Sequence, residues 1–448
     1  MIVLLCGVTM ILGFANKDRC TGPEFNELGR SQSDVDFERR NKEEVCYSDI
    51  QYLWIGRDID RYVFPYVHGG MRDDGTLYGG TVEYPVLTGL LMWFSARFAT
   101  NDAQFLLASA ILLAPFGLFA AWLLGRLSRW RALIWALAPP LILYAFHNWE
   151  LPVVACAVAA VYVLYRGWGQ RGVDRPLIER ATVAAVLLGV GFAFKLYPAI
   201  FVLPLMLYVL TGGERGTELP RDKRWNFAGA FTVAGAALGT AILINVPFVL
   251  AGFEGWKASF LFQWQRKADI TTNSIWYWGL RPSSNPENAD VQDWISLVSM
   301  ITMLAAFALA CALGWLRYKR EGTYPWVAVS AAMLCGFLLL HKVHSPQYTL
   351  WLVPMFVLLR IRWGWIVAYL IADLAMGIGI FRWYFEIMSS GATGINDGFA
   401  AQAVMIGVWG RAALLVGLFA AFLAARLTFD KDDAPAVPPP EPVRAGSS

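Results

Sequence analysis

Long apolar runs separated by short polar turns dominate the pattern of the chain. They predict twelve helical spans, near residues 1–15, 102–126, 132–147, 150–166, 181–194, 197–211, 226–250, 293–316, 325–341, 347–360, 364–381 and 400–425. Many of these runs approach the ~20 residues that a helix needs to cross a bilayer. The runs are continuous rather than alternating, which argues against a β-barrel. The pattern therefore predicts an all-α polytopic membrane protein.

The placement of charge orients the predicted spans. Charged residues make up only 16% of the chain, and hydrophobic residues make up 57%. Lys and Arg cluster in alternate turns, at 126–131, 166–175, 221–224, 317–320 and 360–362. Because short basic loops stay on the cytoplasmic side of a membrane, both termini are expected inside and the long loop 16–101 outside.

Two segments do not fit the span pattern. The apolar segment 84–99 is short for a span, and counting it as one would put the basic turn at 126–131 outside. We therefore expect an interfacial helix there, lying along the outer membrane surface. The tail 430–448 is rich in proline and is expected to be disordered, which leaves residues 1–429 as one transmembrane domain.

Unusual polar residues gather on the predicted outer side. The candidates are Asp49, Asp58, Glu83 and Tyr84 in the first loop, Glu150 and Lys195 in tight turns, Arg266 and Lys267 in the second outer loop, and His341 and His344 in a late turn. Acids that face basic turns indicate a charged, partly apolar ligand. Aromatic residues beside them suit both stacking on sugar rings and anchoring at the membrane interface. A basic pocket at the bilayer edge suits a lipid phosphate.

These residues also have simpler interpretations. An acid in an exposed loop is usually solvated, and the alternative for Arg266 and Lys267 is simple contact with lipid head groups. Lys195 interrupts the apolar stretch 181–211. A lone lysine at mid-membrane would cost roughly 2.5–3.5 kcal/mol, so we expect Lys195 in a turn at the outer face.

The motifs of several other protein classes are missing from the sequence. No HExxH or CxxC pattern indicates a metal site, and we expect neither a metal nor another cofactor. No GxGxxG or Walker A motif indicates work driven by a nucleotide. No nucleic-acid partner is expected, and the net charge of +3 says little about partners.

Two cysteines share the first outer loop. Cys20 and Cys46 can form a disulfide if that loop faces an oxidising compartment, and two free thiols are the alternative. Two further charges, Asp373 and Arg411, lie inside neighbouring apolar runs that are expected to be antiparallel. Because lone charges are costly there, we predict a buried structural ion pair between them.

Several segments together resemble a known superfamily. They are "CYSDIQYLWIGRDI" and "EYPVLTGLL" in the first loop, "LGVGFAFKLYP" at the end of a glycine-rich span, and the late "HKVHSPQYTLWLVP". Over nearly its whole length the chain resembles the GT-C glycosyltransferases, specifically family 87 of mycobacteria and corynebacteria. Members of that family use polyprenyl-phosphate mannose as donor, and their proposed catalytic base is an acid of the first outer loop. The matching residue here is Asp49.

The resemblance implies a function and its main alternatives. It implies a GT-C-like bundle of about twelve spans in the plasma membrane, and an inverting transfer of mannose to a cell-envelope glycolipid or glycan on the outer face. The leaving phosphate would be stabilised by cations such as Lys195, Arg266, Lys267 or a late histidine. Arabinofuranose as the sugar and a flippase or transporter as the function stay open. The sequence leaves the acceptor and the oligomeric state open as well.

Overall fold

Helices build almost all of this chain, with one short hairpin in the first loop. The computed structural model describes residues 1–21, 34–219, 224–280, 287–391, 394 and 398–429. The predicted tail 430–448 and most of the basic turn 221–224 lie outside them. In the first half of the chain the helices are α1 (Ile2–Asp18), α2 (Asp34–Glu43), α3 (Asp49–Gly56), α4 (Val86–Ala96), α5 (Asp102–Ser128), α6 (Leu133–Ala136), α7 (Pro139–Tyr144), α8 (Glu150–Arg166), α9 (Leu177–Phe194) and α10 (Val202–Leu210). In the second half they are α11 (Phe227–Ala251), α12 (Phe253–Gln265), α13 (Ile275–Leu280), α14 (Ala289–Glu321), α15 (Trp326–Leu340), α16 (Thr349–Leu358), α17 (Trp363–Ser390) and α18 (Phe399–Ala424).

Seven helical stretches of the described residues are long and apolar enough to cross a membrane. They are Asp102–Ala136, Leu177–Phe194, Tyr197–Gly216, Phe227–Ala251, Ala289–Glu321, Trp363–Ser390 and Phe399–Ala424. Three shorter helices also match predicted runs. They are α1 and α8, with 17 residues each, and α15, with 15. The predicted class, an all-α polytopic membrane protein, is confirmed.

Two predicted runs do not form full-length helices. The run 132–147 is divided into α6 and α7, because Pro139 and Pro140 cannot continue a helix that arrives from α6. The run 347–360 contains α16, whose ten residues span about 15 Å, half the thickness of a bilayer core. Every residue of α16 is buried. A helix that is apolar on all sides is a buried core element, which explains why the run is as apolar as a span.

Helices α17 and α18 pack closely along their length. A Cβ atom on Gly407 would lie 2.5 Å from the backbone nitrogen of Met376, so only glycine allows this approach of the two backbones. Asp373 and Arg411 are both buried in this region. Among the described residues, however, no ion pair of 4.0 Å or less joins them. Asp373 instead accepts a hydrogen bond from Thr349, and Arg411 lies 3.4 Å from the carbonyl oxygen of Asn273. The predicted ion pair is therefore wrong, because both charges turn to segments other than the neighbouring helix.

The first loop is folded against the bundle. Cys20 and Cys46 form a disulfide, with Cα atoms 6.2 Å apart. Two short strands, β1 (Gly70–Met71) and β2 (Leu77–Tyr78), form an antiparallel hairpin. Helix α4 has eleven residues, about 16 Å, so it is too short to cross a bilayer core and fits the expected interfacial helix.

Candidate functional site

A cavity of about 1450 Å³ opens between the first loop and the helices that follow it. We call it the outer cavity. Its walls include Asp49, Tyr52, Glu83 and Tyr84 from the first loop, Arg266, Lys267 and Asn273 from the segment after α12, His341, Lys342 and Gln347 from the turn after α15, and Phe381 and Tyr384 from α17. The cavity is large enough for a sugar together with part of a lipid head group.

Asp49 begins helix α3 at the wall of the outer cavity. Its backbone nitrogen donates a hydrogen bond to the carbonyl oxygen of His147, at 2.8 Å. The hydroxyl of Ser48 donates to the carbonyl oxygen of Phe146, at 2.7 Å. The start of α3 is thus attached to the turn between α7 and α8. The Asp49 side chain keeps 22% of its exposure, so its carboxylate is held but can still be reached from the cavity.

Asn148 fixes the Asp49 carboxylate from behind. Its Nδ2 lies 2.7 Å from Oδ2 of Asp49 and 2.7 Å from the hydroxyl of Tyr84, and donates to both. Its Oδ1 accepts a hydrogen bond from the backbone nitrogen of Trp149, at 2.6 Å. Because all these polar contacts are directional, the orientation of the carboxylate is set by its surroundings.

Opposing electrostatic effects act on Asp49. Burial raises the pKa of its carboxyl group. Hydrogen bonds from Tyr47 and Asn148 and the positive charges of Lys195 and Arg266 lower that pKa, without cancelling the effect of burial. A carboxylate with a raised pKa is a stronger base than an ordinary aspartate. It is therefore suited to accept a proton from a hydroxyl group.

A buried ion pair lies beneath this wall. Lys195 contacts Glu150, and both side chains are almost fully enclosed. Nε1 of Trp351 donates a hydrogen bond to Oε2 of Glu150, at 2.5 Å. The Lys195 ammonium also lies 5.1 Å from the ring centre of Tyr84 and 5.7 Å from that of Tyr348. Lys195 is thus occupied by a carboxylate and aromatic faces and does not line the cavity. Its positive charge still favours the ionised form of Asp49, which does line the cavity.

Three other cations face the cavity more directly. Arg266 and Lys267 follow the end of α12, and Lys342 follows the end of α15. Nζ of Lys342 donates to the carbonyl oxygen of Trp264, at 3.0 Å, and to the hydroxyl of Ser296, at 2.9 Å. Neither of these acceptors carries a charge. Because these contacts are to uncharged acceptors, the positive charge of Lys342 can also attract an anionic ligand on this side of the cavity.

The structure brings together six of the ten predicted site residues. Lining the outer cavity are Asp49, Glu83, Tyr84, Arg266, Lys267 and His341. Of these, Glu83 forms a two-point ion pair with Arg57, with N–O distances of 2.7 and 3.2 Å. Nδ1 of His341 lies 2.7 Å from the carbonyl oxygen of Val343 and 3.2 Å from the backbone nitrogen of the same residue, so the ring is held by its own turn.

The other four predicted residues, Asp58, Glu150, Lys195 and His344, do not line the cavity. Asp58 has a φ of +56° and accepts a hydrogen bond from the backbone nitrogen of Gly79, at 2.9 Å, which shapes the loop. Glu150 and Lys195 form the buried pair. His344 is buried, with its ring 5.5 Å from that of Tyr348.

Sequence reasoning did not select Asn148, Tyr47 or Gln347. Asn148 lies in the turn "HNWE", whose position between two apolar runs was the available signal. Tyr47 resembles any tyrosine at a membrane interface, and Gln347 lies in the late polar turn beside His341 and His344, which were selected instead. Within the described ranges, no group of three or more His, Cys, Asp or Glu residues could hold a metal ion. The expected absence of a metal stays a prediction.

Comparisons with known proteins identify a family and several relatives of this chain. A family model described as "Mannosyltransferase (PIG-M)" matches residues 136–389. The GPI mannosyltransferase 1 of Saccharomyces cerevisiae is 24% identical over 346 residues, which cover 74% of this chain and 77% of that protein. The GPI mannosyltransferase 1 of Trypanosoma brucei brucei is 26% identical over 328 residues, covering 70% of this chain and 69% of that protein.

Two solved structures also align with most of this chain. One is ArnT from Cupriavidus metallidurans bound to undecaprenyl phosphate, with 15% identity, a TM-score of 0.43 and coverage of 94% of this chain and 76% of that one. The other is the Archaeoglobus fulgidus oligosaccharyltransferase in the apo form, with 11% identity and a TM-score of 0.41. That alignment covers 94% of this chain and 56% of the other.

Proposed function

Because the chain belongs to the mannosyltransferase (PIG-M) family, we propose that it transfers mannose from a polyprenyl-phosphate donor to a hydroxyl group of a glycolipid. The family is described as a mannosyltransferase family, as the resemblance implied, but as PIG-M and not as family 87. This description favours mannose over arabinofuranose, and a transferase over a flippase or other transporter. The relatives are named for GPI, which favours a GPI-type glycolipid over the other cell-envelope acceptors.

One observation carries this proposal. The half-buried carboxylate of Asp49 lines the outer cavity and is oriented by the 2.7 Å hydrogen bond from Asn148. Burial raises the pKa of this carboxyl group, and the same cavity presents Arg266 and Lys342. A base and a set of cations facing one cavity are what a transfer from a phosphate-linked sugar requires.

The proposed reaction is a single displacement. Asp49 accepts the proton of the acceptor hydroxyl while the oxygen of that hydroxyl attacks C1 of the mannose. The bond between C1 and the phosphate oxygen breaks, and the polyprenyl phosphate leaves with the electron pair. Attack from the side opposite the phosphate inverts the configuration at C1. By analogy with glycoside hydrolysis, the transition state has oxocarbenium character.

The leaving phosphate gains negative charge as its bond to C1 breaks. We assign the stabilisation of this charge to Arg266, Lys267 and Lys342, which line the cavity. Lys195 does not contact the leaving phosphate in this proposal, because it is paired with Glu150. Its positive charge instead favours the ionised form of Asp49. Fixed cations can stabilise a phosphate monoester without a metal ion, so no metal or other cofactor is required.

The placement of basic turns supports an orientation of the chain in the membrane. Basic turns at 126–131 and 317–320 favour the cytoplasmic side, which places both termini inside and the outer cavity on the opposite face of the membrane. We propose the plasma membrane as the location. Cysteine labelling of intact cells, with single cysteines placed near residue 74 and near residue 128, tests this orientation.

Transfer assays with the purified chain test the function. The donor is radiolabelled mannosyl-phosphopolyprenol, and parallel reactions use arabinofuranosyl-phosphodecaprenol. The acceptors are a GPI-type glycolipid and, separately, a peptide rich in Ser and Thr. We expect transfer of mannose to the glycolipid, and the same rate in EDTA. Transfer of arabinose alone, transfer to the peptide alone, or movement of the donor across vesicles without transfer would contradict the proposal.

A further inference from the structure

Two buried amide side chains in the wall of the outer cavity take no part in the reaction described above. Asn273 is 2% exposed and Gln347 is 4% exposed, yet both line the cavity. Within the described part of the chain, Oδ1 of Asn273 and Oε1 of Gln347 have no hydrogen-bond partner. Buried carbonyl oxygens are costly to leave unpaired, so a pair of them at one cavity wall points to a ligand that donates hydrogen bonds.

The backbone around Asn273 is held in place. Its nitrogen donates a hydrogen bond to the carbonyl oxygen of His344, at 3.0 Å, which joins the loop before α13 to the turn that carries Gln347. Two residues before Gln347, Ser345 also lines the cavity. The two amides are therefore presented by a single joined surface rather than by independent loops.

The backbone around Gln347 is tied to the wall that holds Asp49. Gln347 lies in the 3-10 turn Pro346–Tyr348, and the ring of Tyr348 stacks on Trp351 with centres 4.0 Å apart. Trp351 donates to Glu150, which follows Asn148 by two residues in the chain. A ligand group bound by the amides would thus stand at a fixed position relative to the base.

The chemistry of the two amides selects a class of ligand. An amide offers an acceptor oxygen beside a donor nitrogen, which matches a hydroxyl that donates and a neighbouring hydroxyl that accepts. The amide oxygens would face the oxygens of a phosphate unfavourably, so the phosphate belongs with Arg266 and Lys342 instead. Tyr47 and Phe381 stack with ring centres 5.3 Å apart and both line the cavity, which offers apolar surface to the C–H face of a sugar ring.

We propose that Asn273 and Gln347 form the subsite for the hydroxyl groups of the transferred sugar. This inference rests on the function proposed above and adds the residues that recognise the hydroxyl groups of the sugar. A site built to pair with hydroxyl groups discriminates strongly against an analogue that lacks one, because its buried polar groups are then left unpaired. The two amides would accordingly determine specificity rather than bond breaking.

Monodeoxy donors test the subsite. The donors are mannosyl-phosphopolyprenol and its 2-, 3-, 4- and 6-deoxy analogues, and kcat/KM is measured for each with the unmodified chain. We expect at least one analogue to lose roughly 10- to 100-fold. Asn273→Ala or Gln347→Ala should lose a similar factor on the natural donor, and should lose nothing more on the analogue that lacks the paired hydroxyl.

A matched control separates this result from a general disturbance. Gln265 also lines the cavity but is exposed, so Gln265→Ala should keep the discrimination of the unmodified chain. If Gln347→Ala and Asn273→Ala still discriminate fully against every deoxy donor, the losses in kcat/KM from the variant and from the missing hydroxyl are additive. That result would overturn the proposal.

Two further outcomes depend on the unmodified chain alone. If the unmodified chain transfers mannose but accepts all four deoxy donors equally, the sugar subsite is wrong while the proposed function stands. If the unmodified chain transfers no mannose at all, the function itself fails. Should the alanine variants fail to fold, the near-isosteric Gln347→Met and Asn273→Leu fill similar space without an acceptor oxygen. Loss of discrimination against one deoxy donor in these variants supports the subsite, and full discrimination overturns it.

Discussion

The side-chain amide of Asn148 donates a hydrogen bond of 2.7 Å to Oδ2 of Asp49, although the two residues lie 99 positions apart in the chain. The same amide nitrogen contacts the hydroxyl of Tyr84, and Asn148 itself is 1% exposed. Asn148 is therefore a positioning residue. Asn148 does not itself line the outer cavity, so we expect it to act on the reaction through Asp49 and Tyr84.

Asn148→Ala should lower kcat by roughly 10- to 100-fold, the usual worth of a hydrogen bond to a charged group, with little change in KM for the donor. Steady-state kinetics with labelled donor measure both constants. Asn148→Gln, which keeps an amide donor, should recover part of the loss. Equal losses in the two variants, together with a lower melting temperature, would indicate a structural role only.

Asp49→Asn keeps the size of the side chain but removes the basic carboxylate. Turnover should fall by roughly 10²- to 10⁴-fold, which is what general base catalysis contributes. Donor binding should survive, because the cations that we assign to the phosphate lie on other segments. Asp58→Asn is the matched control, since Asp58 shapes the loop through Gly79 and lies outside the cavity wall. Near-normal transfer by Asp49→Asn would show that the base is another residue.

The pH profile of kcat/KM should carry the signature of a buried carboxyl group. Asp49 accepts a proton only when it is ionised, so activity should fall as the pH drops through its pKa. Burial raises the pKa of Asp49, and the acid limb should therefore lie above the ordinary value of about 4. The titratable or charged groups around this carboxylate include Lys17, Tyr47, Tyr84, His147, Glu150, Lys195 and Arg266.

Removal of a positive charge should move that acid limb. The charge of Lys195 favours ionised Asp49, so Lys195→Met should shift the limb to higher pH, while Lys195→Arg should leave it nearly in place. A limb that is identical in all three proteins would mean that Asp49 does not sense Lys195, or that another group titrates.

The Glu150–Lys195 pair should behave as a coupled unit in stability. Glu150→Gln or Lys195→Met alone leaves a buried charge without its partner and should lower the free energy of unfolding by about 3–5 kcal/mol. The double variant should lose less than the sum of the two. Arg175 and Glu179 provide an exposed comparison pair, in which Glu179→Gln should change stability by less than about 1 kcal/mol. Thermal unfolding in detergent micelles measures each effect.

The Cys20–Cys46 disulfide should stabilise the loop that leads into Asp49. Closing a chain of this length is worth roughly 3.5 kcal/mol on the chain-entropy model. Replacing both cysteines by serine should therefore lower the melting temperature, and a reducing agent should have the same effect on the unmodified chain. Non-reducing peptide mapping that finds both thiols free in native membranes would contradict this pairing.

Much of the fold follows from the periodicity of apolar residues. The run 102–126 corresponds closely to α5, whose first turn is capped by the side chain of Asn101. The run 347–360 was misleading, because α16 is a buried core helix and burial inside protein selects the same residues as burial in lipid. Sequence alone does not distinguish these two environments.

The candidate site was only partly predictable for a related reason. Asp49, Arg266 and Lys267 could be selected because charges next to apolar runs are conspicuous. The pairing of Glu150 with Lys195 joins residues 45 apart, and it could not be foreseen because it depends on how α8 and α9 pack. The Asp373–Arg411 prediction failed in the opposite way, since proximity of neighbouring helices did not bring the two charges into contact.

The contacts around Asp49 also impose an order on biosynthesis. Cys20 and Cys46 both precede Asp49, so their disulfide can close before the rest of the site has been made. The partners of Asp49 in the turn after α7 emerge from the ribosome about 100 residues later, and Trp351 follows some 200 residues after that. During translation the first loop can therefore be cross-linked before Asn148, which orients Asp49, and Trp351, which completes the wall behind it, have been made.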